Sequence, residues 1–386
     1  MPFFAAVPAQ ALRPFSQLDR PMEVIRQFTP HWFAVTMGTG VLALALAAFP
    51  WQFPGLLALA EGLWLLAVLL FGLFTGLYAA RWLLFFDEAR EIFAHATVSM
   101  SIGTIPMGLA TLINGLLLFG LPRWGAAVLP LALGLWWLDV AMALACGVLI
   151  PYLMFTRQAH RIDQMTAVWL LPVVAAEVAA ASGGLLLPHL AAGEHFRVLV
   201  ASYVLWAYSV PVALSLLVIL LLRLALHRLP PASMAASSWL ALGPIATGAL
   251  GLLVLGSAAP TVFAAHGLAS IGEIARGLGL LGALLLWGLG LWWLALAVLV
   301  TQRQAREGMP FNLGWWGFTF PLGVYALTTL RLGEALAAPF FTGLGAVLVV
   351  LLALLWLLVA SRTLAGAYRG SLFVSPCIAH LCRKVR

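Results

Sequence analysis

Apolar runs separated by short polar connections divide most of the chain. The runs fall at about 31–49, 55–80, 96–121, 124–155, 165–187, 198–222, 234–259, 277–301, 312–330 and 339–361. About 20 apolar residues carry a helix across a bilayer, so the pattern predicts ten membrane-spanning helices and leaves no room for a separate soluble domain. It divides the chain into an N-terminal segment 1–30, a transmembrane transport domain 31–366 and a basic C-terminal tail 367–386. The first run follows Pro-containing, mixed-charge sequence and holds Gly38-Thr39-Gly40 at its centre. It reads as a retained span, since cleaved signal peptides are shorter and carry their basic region at the extreme N-terminus.

The connections alternate in charge, which tests the count independently. With the N-terminus placed in the cytoplasm, sixteen of the twenty basic residues fall on that side and only Arg123, Arg197, Arg276 and Arg331 on the other. That asymmetry predicts both termini in the cytoplasm and a multi-pass protein of the cell inner (plasma) membrane. Composition agrees: 63% hydrophobic and 9% charged residues stand far from the ~45–50% and ~25% of soluble domains. A cytosolic enzyme and a disordered chain are excluded. The net charge of +7 would point to nucleic acid in a soluble protein, but here its placement sets orientation and the expected surroundings are lipid.

Three cysteines are too few for a disulfide framework: Cys146 lies inside a span, Cys377 and Cys382 in the tail. All three read as thiols. With His380 the tail offers no second ligand pair, so neither a metal nor another cofactor is expected.

A repeat hides in the odd-numbered spans. Each carries Gly or Pro near its middle: Gly38-Thr39-Gly40, Gly103-Thr104-Ile105-Pro106-Met107-Gly108, Leu171-Pro172, Gly243-Pro244 and Phe320-Pro321. The prolines are 66, 72 and 77 residues apart, about one helical hairpin each. Broken helices survive at membrane depth only against protein or a water-filled cavity. The prediction is an all-α polytopic membrane protein of five hairpins around a central pore, with kinked odd helices inside and smooth even helices facing lipid.

Every span lacks basic residues, yet Glu61, Asp139 and Glu177 lie within spans. Glu61 is near a helix end and is expected to snorkel or cap. Asp139 and Glu177 sit near span centres, where a charge costs at least ~2.5 kcal/mol, so each is a candidate for proton coupling or a pore acid. Glu177 lies five residues after Pro172 on an odd helix. A fixed carboxylate there would repel an anion, so it is expected to be protonated when an anion passes; Asp139, on an even helix, suits an interhelical hydrogen bond. Thr36, Gly38, Thr39, Gly40, Thr104, Pro106, Pro172, Pro244, Thr247, Thr319 and Pro321 are the expected pore lining. Phe320, just before Pro321, is placed to form an apolar constriction, with Phe318 second. No H-E-x-x-H, G-x-S-x-G or Walker glycine loop is present, and the chain is not expected to be an enzyme.

Phe28-Thr29-Pro30-His31-Trp32-Phe33 with Met37-Gly38-Thr39-Gly40, Gly103-Thr104-Ile105-Pro106-Met107-Gly108, Trp169-Leu170-Leu171-Pro172-Val173-Val174 and Trp315-Trp316-Gly317-Phe318-Thr319-Phe320-Pro321 resemble the tellurite-resistance/dicarboxylate transporter family. It includes yeast malate permeases, fungal sulfite exporters and plant slow anion channels, and the likeness runs over about residues 28–365. The resemblance implies ten helices in five hairpins around a pore, a homotrimer, and conduction limited by a phenylalanine on the ninth helix, here Phe320 or Phe318. Glu177 stands where the plant channels have a second phenylalanine. That departure, with Met107-Gly108-Leu109-Ala110-Thr111 and the segment after Glu177, favours the malate side. The expected function is transport of small organic anions, four-carbon dicarboxylates such as malate, with proton coupling. The alternatives are a channel or exporter for chloride, nitrate or sulfite gated by the phenylalanine, and a membrane enzyme or receptor core without transport.

Overall fold

In the computed structural model, which describes residues 14–378, the chain is helical with no strand among those residues. Its long helices are α1 (Phe33–Ala47), α2 (Leu56–Leu84), α3 (Thr104–Gly115), α4 (Leu129–Thr156), α5 (Leu171–Leu186), α6 (Ala192–His227), α7 (Leu242–Ala264), α8 (Ala269–Glu307), α9 (Phe320–Leu336) and α10 (Pro339–Arg369).

Among the described residues eight helical runs are by themselves long and apolar enough to cross a membrane, where ten are expected. Two expected runs share the stretch Ser99–Thr156, whose 58 residues would reach about 87 Å if straight. Gly125, at φ 69°, turns the chain between them, and α3 and α4 pack side by side. The other exception is α9, whose 17 residues span only about 26 Å of a ~30 Å hydrocarbon core.

The odd helices are inside. In the most apolar stretches of Pro30–Ala47, Ala167–His189 and Ala232–Ala264, 78%, 94% and 78% of residues are buried, against 22% in Leu56–Leu84 and 33% in Ala192–His227. Helices α1, α3, α5, α7 and α9 each pack on the next, and α9 returns to α1, closing a ring. Each even helix pairs with its own odd helix and also leans on the following one.

The breaks in the odd helices do not lie where the sequence places them. Pro172 and Pro321 are the second residues of α5 and α9, and Pro106 and Pro244 the third residues of α3 and α7. Tight 3₁₀ segments at Ser99–Gly103, Ala167–Leu170 and Leu313–Phe318 lead into α3, α5 and α9. The kink is thus a change of helix type at the first α-turn. Proline suits that place, because its missing N–H would have had no partner there.

Two belts of hydrogen bonds hold the ring. In the first, one tryptophan from each even helix donates its indole N–H to the following odd helix: Trp64 to Leu112 O (3.1 Å), Trp136 to Ala179 O (2.8 Å), Trp206 to Gly248 O (2.9 Å), Trp287 to Thr329 Oγ1 (2.9 Å) and Trp356 to Thr39 Oγ1 (3.0 Å). The second belt lies where the even helices end. There Arg81, Gln158, Arg223 and Gln304 donate to Phe28 O, Phe93 O, Asp163 O and Pro230 O, each in the segment leading into the odd helix of the same hairpin. Each neutral bond contributes about 1 kcal/mol.

Candidate functional site

The starts of all five odd helices open on one vestibule of about 380 Å³. Thr29, His31 and Met37 come from the α1 region, Ser101 and Thr104 from α3, Leu171 from α5, Ser237 and Leu240 from the lead-in to α7, and Asn312 and Gly317 from that to α9. Among the described residues no Asp, Glu, Lys or Arg borders it. Its polarity comes from hydroxyls, an imidazole, an amide and the positive ends of the odd helices, which favour anions. His31 Nδ1 lies 3.2 Å from Ser101 Oγ, and Thr104 Oγ1 lies within donating distance of Pro30 O (3.0 Å) and Ser101 O (2.7 Å). Asn312 Oδ1 accepts from Gly314 N at 2.8 Å, bending the chain into the 3₁₀ turn before α9.

The stretch set apart as a tail supplies one wall, through Ser371, Leu372, Val374 and Pro376. Phe373 stacks on Trp32 with centroids 4.9 Å apart, Ser375 N donates to Gln27 Oε1 (3.0 Å), and Arg81 Nη2 donates to Ser375 Oγ (3.2 Å). Cys377 and Cys146 are buried free thiols; Cys382 and His380 lie outside the described residues.

Of the expected pore lining, Thr104 borders the vestibule; the other expected residues are buried and do not line it. A Cβ on Gly38 would strike Thr319 and Trp316 of the α9 region, one on Gly40 would strike Thr111 of α3, and one on Gly103 would strike the Leu171 carbonyl. These glycines let the ring helices approach. Thr36, Thr39 and Thr319 bond back to Phe33 O, Val35 O and Trp316 O at 2.7, 2.7 and 2.8 Å.

The two phenylalanines differ. Phe318 is wedged edge-on against Trp239 (5.4 Å) and Trp315 (5.8 Å). Phe320, 3% exposed, opens α9 with no aromatic ring against it among the described residues.

Glu177, at 0% exposure on α5, has the Ser209 hydroxyl of α6 beside it, but that hydroxyl donates to Val173 O (2.8 Å) and neither carboxyl oxygen is met by a well-formed hydrogen bond. Ser182 Oγ on α5, Ser202 Oγ on α6 and Thr247 Oγ1 on α7 are likewise buried and unpartnered, and these three helices pack together. Asp139, also at 0% on α4, is unpartnered too, so the interhelical hydrogen bond expected of it is not present. Buried polar groups are rarely left unpaired. Glu61 is at the surface and pairs with Arg123.

Sequence reasoning missed His31, Asn312 and the wall from the tail. His31 and Asn312 carried a signal, each being a polar side chain within four residues of the start of a 3₁₀ lead-in or at its cap. The tail carried none.

The family described as SLAC1, voltage-dependent anion channel, matches residues 27–364. The sulfite efflux pump SSU1 of Arthroderma benhamiae is 40% identical over 352 residues, covering 90% of this chain and 93% of its own. That of Trichophyton rubrum is 39% identical over the same shares. The malic acid transport protein of Schizosaccharomyces pombe is 25% identical over 346 residues, 86% of this chain and 77% of its own. Likeness over the whole length thus ranks these two sulfite pumps above the malate transporter, the reverse of what the short strings around Met107 and Glu177 favour.

Proposed function

The chain belongs to the SLAC1 voltage-dependent anion channel family, whose members are anion transporters and channels and not enzymes, and on that premise we propose that it carries small inorganic oxyanions, sulfite foremost, across the membrane. The carrying observation is the convergence of five odd-helix starts on one vestibule free of acids. An anion collects there, exchanging part of its water for helix-end N–H groups and the hydroxyls of Ser101 and Thr104. It then passes Phe320 at the start of α9, whose ring closes the axis, while Phe318 braces the turn behind it. Thr36, Thr39, Thr247 and Thr319 line the narrow stretch beyond with the glycines and prolines around them.

Glu177 is neutral while the anion passes and takes or gives a proton as the site empties, which ties flux to pH. Its full burial with no basic side chain paired to it among the described residues supports this role. Asp139 serves as a second neutral acid on α4. The ten apolar runs act as ten spans within residues 31–366, with both termini cytoplasmic in the inner membrane and three copies side by side. Malate is the second reading, favoured by the Schizosaccharomyces pombe relative and by an acid in place of an aromatic on α5.

Reconstitution into liposomes decides between them. Sulfite flux exceeding malate flux, with a rate that responds to an imposed pH gradient, is the expected result. Malate accumulation exceeding sulfite flux gives the second reading, and absence of flux for sulfite, malate, chloride and nitrate overturns both.

A further inference from the structure

Beside the vestibule lies a second, polar cavity of about 650 Å³, between the segment after α4 and the turn after α6. The two share Thr97, Val168 and Met234 as a common wall. Arg161, Arg223, His160 and His227 line the second cavity, with Asp163 as its acid. Asp163 is committed elsewhere: Arg161 reaches both its oxygens at 3.1 Å, and that hydrogen bond holds the carboxyl below the usual carboxylate range.

Arg223 is left without a counter-charge. It is 3% exposed, its Nη1 donates to Arg228 O (2.6 Å) and its Nη2 to Asp163 O, Nε has no partner, and no carboxylate lies within 4.0 Å of it among the described residues. Burying an unpaired charge is costly. Holding the lead-in carbonyl does not require that charge, because Gln158 and Gln304 hold Phe93 O (2.9 Å) and Pro230 O (2.8 Å) in the equivalent places of two other hairpins. Arg81, the other arginine of the belt, is closed over by the tail through Ser375 and borders neither cavity. Arg223 is the buried cation of the belt that opens on space.

We propose that this second cavity is an antechamber that binds a small oxyanion of the transported class, with Arg223 as its counter-ion, and passes it to the vestibule across the Thr97–Met234 wall. The site rests on the transport reading for its role but not for its binding. Guanidinium suits a carboxylate or sulfur oxyanion because it offers paired donors in one plane, and the surrounding imidazoles and the hydroxyls of Thr97 and Thr166 add donors that tolerate more than one anion.

The test is Arg223→Gln, which deletes the charge and keeps a donor of the kind that serves in two sister hairpins. Sulfite binding to the purified full chain is read by calorimetry, and the concentration dependence of sulfite flux is read in liposomes. Binding about tenfold weaker, with the half-saturating sulfite concentration raised to a similar extent and the maximal rate kept, is the expected result. Unchanged binding and half-saturation in a variant of wild-type thermal stability overturn the antechamber while leaving transport intact. Arg223-dependent sulfite binding by a wild-type chain that moves no anion keeps the site and overturns the transport reading instead. Should Arg223→Gln not fold, Arg223→Lys, which keeps the charge and loses the paired planar donors, carries the test: sulfite binding weaker by about threefold supports the site, and unaltered binding overturns the guanidinium's part in it.

Discussion

Helices α5 and α9 flank α7 in the ring and start alike, with a 3₁₀ lead-in followed by proline at the second α-position. They finish their polar groups in opposite ways. On α9 each threonine is satisfied: Thr328 reaches Ala246 O (3.0 Å), Thr329 reaches Tyr325 O (2.7 Å) and accepts from Trp287, and Tyr325 donates to Trp287 O (2.9 Å). On α5 the carboxyl of Glu177 lies beside a Ser209 hydroxyl that is spent on Val173 O (2.8 Å), and the hydroxyl of Ser182 has no partner. One side of the ring is a completed packing that holds a phenylalanine at its break. The other keeps open valences beside α6 and α7. A conduction path needs both, a wall that does not yield and a lining that water or substrate completes.

The largest effect should come from forcing the shared start apart. Gly103→Val pushes side-chain carbon into the Leu171 carbonyl at the head of α5, a backbone obstacle that cannot rotate away. We expect a loss of about 3 kcal/mol, seen as aggregation or a strongly lowered melting temperature of the purified protein; a monodisperse variant of normal stability would show that α3 and α5 are not in fixed contact. Next, Phe320→Ala should raise anion flux at least about tenfold, a barrier change near 1.4 kcal/mol. Phe318→Ala, which empties an aromatic wedge, should instead lower stability and leave flux per folded molecule unchanged. Equal flux gains from both would erase the distinction between them.

Glu177→Gln keeps the shape of the α5 site but fixes it neutral. Flux should persist within about threefold, under 1 kcal/mol in barrier, while its response to an imposed pH gradient disappears; an unaltered pH response would remove Glu177 from the coupling. The smallest contrast compares the two polar linings. Thr329→Val strips the acceptor from Trp287 and should cost about 1–2 kcal/mol in thermal stability. Ser182→Ala breaks no bond and should change stability by less than about 0.5 kcal/mol. A larger penalty at Ser182 would mean that the gap beside α5 is already filled.

Much of the architecture was legible because hydropathy and Pro/Gly spacing report burial directly: alternating charge in the loops and glycines on alternate runs place odd helices inside. The position of the breaks was not, since a proline reads the same from sequence whether it interrupts a helix or begins one. Each of the ten apolar runs corresponds to one of the helices α1–α10, although by length and composition eight helical runs among the described residues could cross a membrane. At the site, Glu177 and Phe320 stood out by chemistry, an acid and a large ring beside prolines. Arg223 did not, because an arginine just past the end of an apolar run carries no sign that it will be buried without an acid. Nor did the tryptophans, although Trp64, Trp136, Trp206, Trp287 and Trp356 recur at intervals of 72, 70, 81 and 69 residues; in a chain with 16 tryptophans that beat is hidden among interface residues.

The tryptophan belt also bears on where the polypeptide can be cut. Its fifth tie runs from α10 back to α1, so the junction between the first and last hairpins is bonded like the other four. The described ends meet on one face, where Phe15 N donates to Tyr368 O (2.7 Å) and Gln17 N to Arg369 O (3.0 Å). Structurally the ring has no seam. A chain whose ends are fused by a short linker and reopened in the loop after α4 or α6 would present the same set of hairpins in rotated order, and the same wheel should close around it.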